Sequence, residues 1–140
     1  MVKKIRQGSQ SLEAVILIGH GSKKPDAAKN MEKIARRLKQ QYNCPIVEPC
    51  YMSLNPPYFP EVLKKCVTVG ARSIIVSPYF LHDGFHIKHT IADLIKEGLK
   101  QNPGIKLCLS KSLGFDDSLV DLVWRRICEA KLGKTKKKHS

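Results

Sequence analysis

Four stretches of the chain are rich in apolar residues, and each runs into residues that turn the backbone. The first is Ala14-Val15-Ile16-Leu17-Ile18, which leads into Gly19-His20-Gly21-Ser22. The second opens at Ile46-Val47 and runs to about Met52; the third is Ser73 to Phe80; the fourth is Ile105-Lys106-Leu107-Cys108-Leu109. Short apolar runs bounded by turn residues read as strands, the first and third of them buried on both faces of a parallel sheet. Between them the period lengthens. Ala27, Met31, Ile34, Ala35 and Leu38 recur at helical spacing, with Lys29, Lys33, Arg36 and Lys39 on the wet side. That helix should end near Tyr42-Asn43, before Pro45. A second helix, with Pro60 in its first turn, turns Val62, Leu63, Cys66 and Val67 inward and stops at Gly70. A third carries Ile87, Ile91, Leu94, Ile95 and Leu99, and Asn102-Pro103-Gly104 follows it as a turn. A last helix, from about Asp116 to Lys131, is expected to face Leu119, Val120, Leu122, Val123 and Ile127 inward.

The order is βαβαβαβα. It predicts an α/β fold: one four-stranded parallel sheet with helices on both faces, joined by right-handed crossovers. Pro49 marks the second strand as an edge. With the strand order 2-1-3-4, the topological switch point falls between the first and third strands, and ligands of open α/β sheets bind outside the carboxyl ends there. His20 is the one bulky side chain in the turn at the first of those ends. The loop Leu81-His82-Asp83-Gly84-Phe85-His86 lies at the other. Two histidines distant in sequence are therefore expected across one crevice. Within the second loop His86 opens a helix, whereas His82 and His89 read as solvated neighbours. Two imidazoles do not make a closed zinc site, which wants four ligands. They suit a transient site for a borderline divalent metal, and neutral imidazole accepts protons near physiological pH.

Composition adds limits. At 140 residues and 42% apolar content the chain is one domain with room for a core. It holds no apolar run of the roughly 18 residues that a membrane span needs. The basic first ten residues have no apolar stretch behind them and are not read as a secretory leader. Five widely spaced cysteines without a C-x-x-C read as reduced, mostly buried thiols of a cytoplasmic protein. The net charge is +13, but Lys3, Lys4 and Arg6 supply +3 and Lys131, Lys134, Lys136, Lys137 and Lys138 supply +5, which leaves +5 for residues 11–130. The expected organisation is a flexible basic arm at 1–12, a folded domain at 13–131 and a disordered basic tail at 132–140. No aromatic-and-basic recognition motif favours nucleic acid. A small polyanion suits the mildly basic domain.

The ordered motifs resemble those of one family. Val15-Ile16-Leu17-Ile18-Gly19-His20-Gly21-Ser22, Val47-Glu48, Pro57-Tyr58-Phe59-Pro60-Glu61-Val62-Leu63, Gly70 to Leu81, Gly84-Phe85-His86 and Gly114 are similar, in order and spacing, to the short CbiX-type class II chelatases of tetrapyrrole synthesis. The resemblance spans about residues 13–130. It implies a chelatase-like (flavodoxin-like) domain that inserts a divalent metal into sirohydrochlorin, a polycarboxylate ring. Cobalt, for cobalamin or related tetrapyrrole synthesis, is the leading choice, with nickel or iron as alternatives. The metal is a substrate, and no permanently bound cofactor is implied. A homodimer is implied, because a short chain is similar to half of a longer two-domain chelatase. His20 and His86 match the family's metal-binding and catalytic histidines. Lys23, Lys24, Ser53 and Lys88 are candidates to touch substrate carboxylates. Relatives often carry Glu at the position of Ser53, an acidic residue at that of Pro56 and Asp near that of Thr90; Glu48 and Asp83 are the candidate replacements for the first of these.

Two other classes compete. A histidine phosphatase also places His at the end of a first strand, but Gly19 stands where its Arg is expected, and no G-x-S-x-G supports a serine hydrolase. A non-catalytic module that binds metal or polyanion is the second alternative.

Overall fold

The computed structural model describes residues 13–82 and 84–133. The arm at 1–12, most of the basic tail and Asp83 lie outside the described residues. The elements follow the expected alternation: β1 (Ala14–Gly19), α1 (Pro25–Tyr42), β2 (Val47–Tyr51), α2 (Phe59–Thr68), β3 (Ser73–Pro78), α3 (Phe85–Gln101), β4 (Lys106–Leu109) and α4 (Asp117–Lys131). The strands are parallel in the order β2-β1-β3-β4, so β1 and β3 are the central pair and the Pro49-bearing strand is an edge.

The pleat divides the apolar residues between two cores. On one face Leu17, Val47 and Tyr51 pack under Met31 and Ala35 of α1. On the other, Ile16, Ile18, Ile74 and Val76 pack under Phe59, Val62, Leu63 and Cys66 of α2 and Ile91 of α3. Because β1 is central and covered on both sides, Ile16 and Ile18 are wholly buried. Each contributes about 1.5–3 kcal/mol by leaving water. Gly98 lets α3 approach α2: a Cβ there would sit 2.7 Å from Leu63 Cδ2. Burial pushes the Cys50 thiol up to about 12 and that of Cys66 to about 11, so neither is a thiolate at neutral pH.

The last helix departs from expectation. None of its residues is buried, and among the described residues it packs against no other helix or strand. Val120, Val123, Trp124 and Ile127 are exposed rather than inward, and Leu119 and Leu122 are only half-buried. The helix forms where its periodicity places it, but periodicity does not say which surface the apolar face meets.

Candidate metal-transfer site at the carboxyl rim

β1 ends in Gly19, and its end is held from both sides, the turn beyond it from one. Met52 N donates to Gly19 O at 2.9 Å, Ser53 N to His20 O at 3.3 Å and Tyr79 N to Ile18 O at 2.8 Å. The end of β1 is thus bonded to the continuations of both neighbouring strands, and the His20 turn itself to that of β2. Gly21 has φ of +107°, and a Cβ there would fall 1.8 Å from the Ser53 carbonyl oxygen. Only glycine lets the two loops lie this close. Asn55 completes the clamp by accepting from Ser22 N at 2.7 Å, and Ser22 Oγ accepts from Lys24 N at 3.0 Å. The His20 side chain is exposed above this fixed backbone. Its ring meets the edge of Phe80, just past β3, with centroids 6.3 Å apart and planes at 87°.

The second histidine stands where α3 begins. Gly84 is the N-cap, Phe85 the first helical residue and His86 the next. Thr90 Oγ1 donates to His86 O at 3.0 Å. Phe85 is 74% exposed. Its ring lies 6.0 Å from that of His86 at 67° and 5.0 Å from that of His89 at 86°. β1 and β3 are adjacent and parallel, so the turn carrying His20 and the loop leading to His86 open at the same rim of the sheet. Among the described residues, no group of three or more His, Cys, Asp or Glu is placed to hold a metal ion.

The other candidates fall in different places. Lys23 and Lys24 are exposed in the segment between the His20 turn and α1, and Ser53 is exposed beside His20. Lys88 is exposed two residues beyond His86, a spacing that does not share a helix face. His89, three residues on, does share it. His82 borders a cleft with Leu81, Phe115, Leu119, Leu122 and Val123. Glu48 is not at the rim. It is the second residue of β2, near the amino end of the sheet, and it pairs with Lys65 Nζ at 3.4 Å. Asp83 lies outside the described residues. A cleft of about 280 Å³ adjoins His20 between the glycine turn, Asn30 and Met31 of α1, Tyr51, Asn55 and Tyr79. A separate cleft of about 370 Å³ runs between α2 and α3, lined by Phe59, Leu63 and Gly98, and borders none of the histidines. Asn55 and Phe80 were not singled out from the sequence as parts of the site. Their signals, an Asn ahead of Pro56-Pro57 and an aromatic just past a strand, are common in loops without chemistry.

An open parallel α/β sheet with one histidine in the turn after β1 and another in the first turn of the helix after β3, both at its carboxyl rim, defines the class. The chain belongs to the CbiX family, whose sequence profile matches residues 14–130. It is 31% identical over 123 residues to a sirohydrochlorin ferrochelatase of Arabidopsis thaliana chloroplasts, covering 88% of this chain and 55% of that protein. A sirohydrochlorin cobaltochelatase of Methanococcus maripaludis is 29% identical over 140 residues, covering 82% of this chain and 97% of that one. The sirohydrochlorin chelatase SirB from Bacillus subtilis subspecies spizizenii, in complex with cobalt, superposes with a TM-score of 0.78 at 27% identity; the match covers 84% of this chain and 50% of that chain. The chain therefore spans about half the length of several relatives and nearly the full length of others.

Proposed function

We propose that the protein inserts a divalent metal into sirohydrochlorin, with cobalt first among cobalt, nickel and iron, and that His20 and His86 carry the transfer. The observation that carries this reading is His20 itself, exposed on a backbone clamped by the segment after β2 at the switch point of a CbiX-family fold. Insertion removes two pyrrole N–H protons and puts one divalent cation in their place, so the ring's charge is unchanged. The site must accept protons and must exchange ligands with a hydrated cation without gripping it. Neutral imidazole does both. Two imidazoles leave most of the coordination sphere open for the ring nitrogens. Lys23, Lys24, Lys88 and Ser53 receive the ring's carboxylates in this reading, the lysines as point charges. Because such charges are solvated, KM for sirohydrochlorin should rise at least about threefold between low salt and roughly 0.5 M salt. A KM that does not move would make the basic surface incidental.

The working form in this reading is a homodimer. The support is α4: an amphipathic helix with its apolar face in water is unstable unless something covers it. A second copy would also supply the half that the longer relatives carry in one chain. Trp124→Asp should shift the sedimentation mass from dimer to monomer; a monomeric wild-type protein would contradict the dimer. No helix among the described residues is long and apolar enough to cross a membrane. Five free thiols, three of them buried, suit the reducing cytoplasm.

The test is purified protein mixed with sirohydrochlorin and Co²⁺, Ni²⁺ or Fe²⁺ in parallel, with insertion followed by the ring's absorbance. Insertion faster than in the protein-free mixture supports the reading. Binding of metal or ring without acceleration would leave a non-catalytic module.

A further inference from the structure

Phe85 has a position that packing does not explain. It is a large apolar side chain, 74% exposed, at the first residue of α3 and beside His86. Core aromatics bury most of their area, and Phe59 of this chain does so almost completely. Phe85 is nonetheless held. The imidazoles of His86 and His89 both lie in T-shaped contact with it, at 67° and 86° to its plane. At 74% exposure most of the ring is still open to a planar ligand.

We infer that Phe85 is the stacking platform for the conjugated face of the macrocycle, and that it fixes the ring plane steeply inclined to the imidazole of His86 and nearly perpendicular to that of His89. The inference rests on the proposed function. Its physical content lies in the angles. The lone pair of an imidazole nitrogen lies in the imidazole plane. A macrocycle stacked parallel to Phe85 therefore has the His89 plane standing nearly upright on it and the His86 plane steeply inclined to it. In that orientation an imidazole lone pair can point along the normal of the macrocycle, the direction along which a metal reaches or leaves its centre. A ring bound parallel to the imidazoles would face their π-clouds, which can neither ligate nor accept a proton. Stacking on an aromatic is also tolerant of substituents at the ring edge. It would therefore complement the lysines, which read the carboxylates.

The experiment uses the full chain and metal-free sirohydrochlorin as probe. The dissociation constant is read from the shift of the ring's absorbance for wild type, Phe85→Ala, Phe85→Leu and Phe85→Tyr. Cobalt insertion kinetics and sedimentation mass are measured on the same samples. Phe85→Ala should weaken ring binding about tenfold, Phe85→Tyr should stay within about twofold of wild type, and Phe85→Leu should recover only part of the loss. Three results would overturn the inference: Phe85→Ala binding the ring as wild type does, Phe85→Leu matching Phe85→Tyr, or Phe85→Ala altering the oligomeric mass, which would make Phe85 a subunit contact. Wild-type protein that neither binds the ring nor inserts metal would instead defeat the proposed function itself. That outcome is distinct from a wild type that inserts cobalt while Phe85→Ala is unaffected.

Discussion

Gly21→Ala should cost the protein about 3 kcal/mol or more, and most of its activity with it. Two costs combine. A side chain at φ of +107° is strained by about 1–3 kcal/mol wherever it stands. The new Cβ would also lie 1.8 Å from the Ser53 carbonyl oxygen, which is backbone and cannot rotate aside. The Ser53 segment is itself fixed, because Ser53 N donates to His20 O at 3.3 Å and Asn55 N donates to Ser53 O at 2.9 Å. Relief therefore requires the two loops to separate, and that separation moves His20. Gly70→Ala is the matched control. Its φ is +110°, but nothing lies within 4 Å of the added Cβ, so it carries the strain without the overlap. Urea unfolding midpoints of the two variants separate the costs. Gly21→Ala should be the less stable of the two and should insert metal slowly even where it is folded. Equal midpoints would mean that the loops yield freely and that the clamp on His20 is not rigid.

Most of the fold was legible because the signals were local. The run Ala14–Ile18 is apolar at every position, as a strand covered on both faces must be, and Ile16 and Ile18 are wholly buried. Pro49 lacks an N–H to give to a ladder, and β2 is an edge. Placing the two histidine loops at one rim needed only the alternation of strands and helices and the handedness of crossovers. What escaped were contacts between distant segments. The Glu48 carboxylate could be counted in the sequence, but its position at the amino end of the sheet follows from the register Ile16↔Glu48, which composition does not encode. Asn55 holds the His20 turn from 33 residues away. Gly98 reads as an ordinary weak point of a helix until Leu63 is seen against it. The apolar face of α4 is legible as a periodicity, but the chain alone does not say that no helix or strand among the described residues packs on it.

Loss of either rim imidazole should remove most of the metal insertion while the fold survives. His20 is exposed and its backbone is secured by main-chain bonds, so His20→Ala leaves the turn's anchors in place. His86 is exposed in the first turn of α3, which keeps its helical bonds without the imidazole. Surface truncations of this kind change stability by less than about 0.5 kcal/mol. Their effect on rate is of another order, since a positioned acid or base contributes typically about 10²–10⁴-fold. His82 and His89 are placed differently from His86: His82 borders the α4 cleft, and His89, although its ring also meets Phe85, lies a turn further along α3 than His86. Their removal should cost less than about fivefold, far below the general-base range. The decisive measurement is the initial rate of cobalt insertion into sirohydrochlorin, read by absorbance, for wild type and for His20→Ala, His86→Ala, His82→Ala and His89→Ala, with circular dichroism confirming that each is folded. The account predicts a hundredfold or greater loss in the first two variants and near wild-type rates in the last two. Wild-type rates in all four, or a dead His82→Ala or His89→Ala beside an active His86→Ala, would contradict it.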